Sequence, residues 1–436
     1  MSVRVISPGL YTYGALLIGG IIRDGGYPVE ISRQLAAEPG ETVFLSLYST
    51  GHLLDPAVRA FVRRHRENGG RCYIGGPVSS APEMVLGELC PDAVVVGEGE
   101  NAVLPLLKTD ASPDVPGIAY FDGPRIVATP PIPPPTLERP PLLIPDDIGS
   151  QDVRGANIYI ETHRGCIGTC TFCQVPRFFG HAIRSRSIED VVQEVETLKK
   201  KGVRRISISG GTGSLYRSHD GTMDPDAFAE LLRSIAGVMG PRNVSAPDLR
   251  ADCLSPEVLE AIRDFTIGWI FFGVESGSDR MLRVMGKGMT ASILEEGIRL
   301  CREYGLQVAG SFIVGHPMEE AEDYQATRDF VAEQCLDDLF VSIAEPIPGT
   351  PLARQTLAVD EALNPTYRPD EGEYRALGLT VSEGRCFDLL LHGDLFKPKF
   401  RVVTDQVYDA YLTEARRQGQ EIRAVTGLLR QYESCV

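Results

Sequence analysis

No apolar stretch in this sequence is long enough to span a bilayer, and the start, "MSVRVISPGLYTYGALLIGG", lacks the basic n-region of an export signal. A cytoplasmic protein with no membrane partner is expected. Basic residues are also in deficit. The chain has 43 Lys and Arg against 59 Asp and Glu, a formal charge of -16. That argues against non-specific nucleic-acid binding, whose affinity comes from cationic side chains neutralising phosphates. A disulfide framework is missing as well, because ten cysteines in 436 residues are too few and too scattered. Cys72, Cys90, Cys253, Cys301, Cys335, Cys386 and Cys435 stand alone, mostly beside apolar residues, and read as small buried hydrophobes. No internal repeat stands out, and the sole biased tract is proline-rich.

What the chain does have is alternation. Over residues 3–107, short apolar runs (3–7, 43–48, 71–76, 92–97) end at Gly or Ser and alternate with segments of helical periodicity. This pattern predicts an open, mainly parallel sheet of Rossmann type, with ligands at the carboxyl ends of its strands. A proline-dense stretch follows and reads as a stiff, extended linker over 124–150. Strand candidates resume at 157–162, 204–210, 243–248, 268–276, 307–315 and 339–346, with helices between them. "SIEDVVQEVETLKKKG" opens on a Ser187/Asp190 capping pair and ends before Gly202. Six βα units predict a barrel or partial barrel over 151–355, with function at its strand ends. Residues 356–436 read as a small appended unit. The expected class is α/β, with the first domain at 1–123.

The first barrel strand runs into "ETHRGCIGTCTFCQVP". Cys166, Cys170 and Cys173 are spaced C-x3-C-x2-C. Thiolates suit zinc or iron–sulfur. Three thiolates can hold three corners of a 4Fe-4S cluster and leave one iron open to a substrate's amine and carboxylate. A zinc knuckle completed by His163 or His181 is the alternative, although zinc sites favour paired C-x2-C.

These cysteines, with Phe172 before the third, resemble those of the radical S-adenosylmethionine (radical SAM) enzymes. The resemblance covers most of 157–350. "SISGG", with Gly210 and Gly211, is similar to the glycine motif that receives the methionine amino group. Thr212 stands where an acidic residue is usual. "APDLRAD", with Arg250, falls where the third strand meets the nucleoside. "GVESGSDRMLRVMGKGMT" resembles the fourth-strand segment, with Glu275 and Ser276 as ribose or carboxylate contacts. "GSFIVGHPMEE", with Val314, resembles the motif lying against adenine, and "PIPGTPL" the sixth-strand end. The resemblance implies that the reduced cluster splits SAM to a 5′-deoxyadenosyl radical that abstracts hydrogen. On the residues alone, Glu275 could cap the next helix, the glycines could serve a tight turn, and His316 reads as a turn residue.

The first domain resembles the cobalamin-binding domains fused to such barrels. The matching text is "LYTYG" (Tyr13, Gly14), "YSTGH" (Tyr48, Ser49, Thr50, His52), "GGPVSS" (Gly75, Gly76, Pro77) and "GEGE" (Gly97, Glu98, Gly99, Glu100). The D-x-H-x-x-G motif, whose His ligates cobalt, is absent. Base-off cobalamin without a His–cobalt bond is therefore expected, with His52 near the lower face through packing or a hydrogen bond. A relic domain without cobalamin is the alternative.

Together the cofactors imply a cobalamin-dependent radical SAM methyltransferase acting on an unactivated sp3 carbon. The whole-chain pattern most resembles the archaeal enzymes that methylate the α-carbon of a glutamine in methyl-coenzyme M reductase, a post-translational modification tied to methanogenesis. This implies a protein or peptide substrate, the reductase's alpha subunit, and an external electron donor. Tyr367, Tyr374 and "KPKFR" (397–401) could line a wide cleft or be ordinary surface. No residue is assigned as catalytic. Other reaction types, such as small-molecule methylation or ring rearrangement, and a non-catalytic iron–sulfur protein remain open.

Overall fold

The computed structural model describes residues 2–209, 211–399 and 402–433. Gly210, Phe400, Arg401 and Cys435, each part of a motif or residue set named above, lie outside them.

The first sheet has seven strands: β1 (Val3–Ile6), β2 (Val29–Ser32), β3 (Thr42–Ser46), β4 (Arg71–Gly75), β5 (Ala93–Val95), β6 (Ile118–Asp122) and β7 (Arg125–Ala128). Their order is β2-β1-β3-β4-β5-β6-β7. The first five pair in parallel, and β5–β6 and β6–β7 are antiparallel. Chain direction across the sheet reverses between β1 and β3, which is where doubly wound sheets open a ligand crevice. The helix Tyr13–Asp24 starts directly above that point.

The proline-rich stretch differs from the expected free spacer. Its first residues form β7, so the first domain runs on to Ala128. The remainder packs down: Leu137, Leu142 and Ile144 are buried. Leu143 N–H donates to Leu16 O at 3.0 Å. Gly20 leaves room for this approach, since a Cβ there would lie 2.4 Å from Pro141 O. Proline supplies the extended backbone, and the interleaved leucines supply the adhesion.

The second unit carries β8 (Ile158–Glu161), a short antiparallel pair β9 (His163–Arg164) and β10 (Arg184–Ser185), then β11 (Ile206–Ser209), β12 (Val244–Ser245), β13 (Asp248–Leu249), β14 (Trp269–Glu275), β15 (Gln307–Val314) and β16 (Asp338–Ile343). The parallel runs are β8-β11-β12 and β13-β14-β15-β16. The predicted third strand is split into β12 and β13 by Ala246–Pro247, because proline cannot donate to the ladder. The result is an open six-stranded partial barrel. Alternation sets its faces. Ile158, Ile160, Ile206, Ile208, Ile270, Phe272, Phe312 and Val314 are buried under the outer helices. Tyr159, Ser209, Trp269, Phe271 and Phe340 face the concave side. The predicted helix forms at Ile188–Lys200, with the Ser187 hydroxyl accepting from Asp190 N–H.

The carboxyl-terminal unit closes the open barrel edge. Gln418, on the helix Asp405–Gln431, accepts from Ile343 N–H at 2.8 Å and donates to Val341 O at 3.1 Å. One side-chain amide thus satisfies an edge strand that would otherwise invite pairing. The same helix buries Val425, Leu428 and Leu429 with the first domain's core. No helix among the described residues is long and apolar enough to cross a membrane.

Candidate active site

Gly165 turns the chain from β9 into the cysteine loop at φ +103°, where a Cβ would meet Ala182 O at 2.2 Å. Cys166 and Cys170 face each other across Gly168. A Cβ on that glycine would lie 3.4 Å from Cys166 Sγ and 3.7 Å from Cys170 Sγ. The loop is fastened from across the barrel by Thr171 N–H, which donates to Met285 O at 2.8 Å. All three cysteines are unpaired by disulfides. Burial raises the Cys170 pKa, with Lys287 and Arg250 opposing, and burial with the neighbouring thiols pushes Cys173 up to about 11. Cys170 and Cys173 resist ionisation on their own and need a strong positive centre to become thiolates. The donor set therefore fits an iron–sulfur cluster.

The zinc alternative loses His163 as its fourth ligand. His163 Nδ1 is 2.9 Å from Thr162 Oγ1 and its Nε2 is 3.1 Å from Thr212 O. Burial pushes its pKa down to about 4, as befits a neutral structural imidazole. His181 Nδ1 bonds Cys166 O at 3.1 Å. No three His, Cys, Asp or Glu side chains among the described residues converge on a single-ion position.

Beside the thiols lies a buried charge pair: Lys287 Nζ is 2.9 Å from Glu275 Oε1. Glu275 sits at φ +66° at the irregular end of β14, a conformation that costs a non-glycine residue about 1–3 kcal/mol. Arg250 forks onto Asp252 at 2.9 and 2.8 Å and reaches Lys287 O at 3.3 Å. Sequence motifs point to Arg250 and Glu275 but not to Lys287, whose link to Glu275 depends on the turn at Gly286. Ser276 differs from the expected cofactor contact. Its buried hydroxyl is 3.0 Å from Thr327 Oγ1 and accepts from Ser278 N–H at 3.1 Å, so it pins the strand end. Thr212 is buried and gives its carbonyl to His163. Val314 is fully buried at the end of β15, and Phe172 is half-buried between its cysteines.

A cavity of about 700 Å³ opens between the two domains. Tyr13, Gly14, Tyr48, Gly75, Gly76, Pro77, Gly97, Glu98, Gly99 and Glu100 line it from the sheet side. Gly165 and Val175, which flank the cysteine loop, line it from the barrel side, together with Tyr159, Ser209 and Gly211. The switch point of one domain and the cysteine loop of the other therefore share one chamber. Gly76 keeps it open at φ +93°, where a Cβ would strike Leu47 O at 2.5 Å. Ser49, Thr50 and His52 are not among the lining residues. His52 Nδ1 instead lies 3.2 Å from both Ser49 N and Ser49 O, folded into its own capping turn. The carboxylates of Glu98 and Glu100 are committed elsewhere. Both pair with Arg164, and Glu98 also pairs with Arg184, which clamps the domains together. Arg164 is held a third time by Glu161 at 2.9 Å.

The expected substrate-cleft residues lie elsewhere. Tyr374 OH donates to Asp388 at 2.6 Å, and Tyr367 OH to Arg423 O at 3.4 Å. Lys397 bonds Asp338 at 2.9 Å, at the amino-terminal end of β16 and away from the strand-end mouth.

Comparison with known proteins matches this geometry. Residues 160–331 match the model of the Radical SAM superfamily. A Methanocaldococcus jannaschii protein provisionally named a methylthiotransferase is 48% identical over 436 residues, 99% of this chain and 96% of its own. A Pyrococcus horikoshii protein named only as a methyltransferase is 29% identical over 73% of this chain and 70% of its own. The tRNA-2-methylthio-N(6)-dimethylallyladenosine synthase of Haemophilus influenzae is 32% identical over 48% of this chain and 44% of its own. Among solved structures, the radical SAM methyltransferase TsrM of Kitasatospora setae, with cobalamin and a [4Fe-4S] cluster bound, aligns at TM-score 0.69 and 15% identity over 97% of this chain and 99% of its own. The cobalamin-dependent radical enzyme OxsB aligns at TM-score 0.62 and 19% identity over 96% of this chain and 61% of its own. The chain belongs to the radical SAM superfamily. Its cofactors accordingly include a 4Fe-4S cluster and S-adenosylmethionine.

Proposed function

We propose that the protein is a cobalamin-dependent radical SAM C-methyltransferase. The observation that carries this reading is the shared chamber, in which the β1/β3 switch point faces the cysteine loop across about 700 Å³. A flat cofactor edged by amides suits the glycine-rich strand ends, where backbone can approach closely. TsrM and OxsB, which share this fold, hold cobalamin. When bound, the cluster and SAM supply a 5′-deoxyadenosyl radical and methylcobalamin supplies the methyl group. The chain's own part is to hold, orient and exclude water. Three cysteines hold, Lys287 and Glu275 shape the floor beside them, and the Arg164 clamp fixes the distance between the two halves.

The relative's name favours methylthio transfer, and one observation weighs against it. Inserting a methylthio group needs a sulfur atom besides the methyl. Among the described residues the remaining cysteines are isolated, with Cys72, Cys253, Cys301 and Cys386 buried. Among the described residues, no second cysteine cluster accompanies the triad.

The substrate we propose is protein-borne: the α-carbon of a glutamine in the alpha subunit of methyl-coenzyme M reductase, with an external reductant. The resemblance of the motif text to that subgroup supports this. Two assays test the reading. Anaerobically reconstituted protein with SAM and reductant should release 5′-deoxyadenosine, and the Cys166→Ala/Cys170→Ala/Cys173→Ala variant should lose its iron and sulfide. Cobalamin should co-elute with the full chain on gel filtration. A chain that retains no cobalamin, or a triple variant that keeps its iron, contradicts it.

A further inference from the structure

The concave face of the barrel is chemically divided. Asp248, on β13, projects into it with no hydrogen bond or close ion pair among the described residues. The nearest cation acting on it is Arg154, and burial lifts its pKa to about 6. Asp248 is only partly exposed to this face, and an acceptor carboxylate with little water and no donor is costly and ordinarily finds a partner. On the next two strands, Ser207 (β11) and Tyr159 (β8) are register partners. Ser207 is 2% exposed, and its hydroxyl faces the Tyr159 hydroxyl on the neighbouring strand. Beside Asp248 stand aromatic rings: Phe271 is its register partner on β14, and Trp269 lies 6.0 Å from Phe271. Tyr159 and Arg154, the groups that interact electrostatically with Asp248, also line the inter-domain chamber.

We propose that Asp248 is the acceptor that selects an N–H-bearing substrate group, a carboxamide or a cationic amine or guanidinium, held against the Trp269 and Phe271 rings. The chemistry points one way. The polar side offers an acceptor-only carboxylate and two hydroxyls, while an aromatic face favours planar amides and cations. A carboxylate or an aliphatic side chain would leave Asp248 unpaired or repelled. The inference rests on the methyltransferase reading for calling the occupant a substrate, and it assigns that substrate's recognition element.

Trp269 is the single tryptophan of the chain, so its fluorescence reports this pocket alone. The probes are otherwise identical short peptides with a central Gln, Arg, Lys, Glu or Leu, titrated into the full-length protein. At least one of the Gln, Arg and Lys peptides should shift Trp269 emission at concentrations about tenfold or more below the Glu and Leu peptides, as expected for a hydrogen bond to a charged acceptor. Asp248→Ala should erase the preference. Asp248→Asn, nearly isosteric, sorts the two chemistries: it keeps a carboxamide and loses a cation. Equal response to all five peptides, no response to any, or a preference that survives Asp248→Ala overturns the proposal. Turnover is read separately. If 5′-deoxyadenosine forms while the preference is absent, only this proposal fails. If the preference holds and no 5′-deoxyadenosine forms, it is the enzymatic reading that falls.

Discussion

Lys287 holds the carboxylate of Glu275 at 2.9 Å, and Glu275 meets it from a left-handed backbone at φ +66°. Both side chains are under 10% exposed. Gly273 makes room for the pair, since a Cβ there would lie 2.3 Å from Glu275 Oε1 and 2.8 Å from Lys287 Nζ. Removing one partner strands the other charge in a dry site. Lys287→Met is therefore expected to destabilise the chain by about 3–5 kcal/mol. The double variant Glu275→Gln/Lys287→Met should recover much of that loss. Urea denaturation of the wild type and both variants checks it; a Lys287→Met protein as stable as wild type would refute the pairing.

The clamp at Arg164 joins residues far apart in sequence, with Glu98 66 positions away. Its guanidinium pKa is raised: burial opposes this, and the surrounding carboxylates of Glu161, Glu100 and Glu98 outweigh it. Arg164→Met leaves those carboxylates without their common cation. Faster proteolysis within 129–147 and a stability loss of about 3 kcal/mol or more are expected. Unchanged protease protection would show that the domains are held by packing alone.

Two buried histidines set an acid limit. Burial pushes His163 and His316 from 6.5 down to about 4 each. Between those values the unfolded chain binds protons that the folded chain refuses. Stability is therefore fully present above about pH 6.5 and is lost as pH falls toward 4, by an amount on the order of a few kcal/mol. Unfolding free energies measured across that window should fall steadily; a flat profile contradicts the neutral, buried state of both rings.

Among the described residues the chamber's one lining histidine is His163, and both of its nitrogens are engaged. His52 is folded into the turn after Ser49. Bound cob(II)alamin should therefore carry no protein histidine below cobalt, and His52→Ala should leave its electron paramagnetic resonance spectrum unchanged. A superhyperfine splitting that vanishes in His52→Ala would mean that the loop refolds to ligate cobalt.

The parts of the fold legible in sequence were those marked by abrupt chemistry. Apolar runs ending at Gly or Ser gave every parallel strand of the first sheet except β2, whose residues Val29–Ser32 are half-exposed and carry no clean apolar run. The β6–β7 hairpin escaped because its second strand abuts the prolines, which read as linker. Local text identified the cysteine loop, since all three thiols lie within eight residues (166–173). Long-range pairings were invisible. "GEGE" reads as a ligand loop, yet its carboxylates answer Arg164 and Arg184 from another domain. The hydroxyl of Ser276 likewise serves Thr327 on a helix that the motif does not contain.

The most direct test of the central claim is the mass of the product. Reconstituted protein, SAM, reductant and methylcobalamin are incubated anaerobically with a peptide from the reductase's alpha subunit spanning the glutamine, and the peptide is fragmented. The account predicts a gain of one CH2 on the α-carbon of that glutamine, with 5′-deoxyadenosine formed in step with it. A gain of CH2S, or 5′-deoxyadenosine with no change in the peptide under any donor, contradicts it.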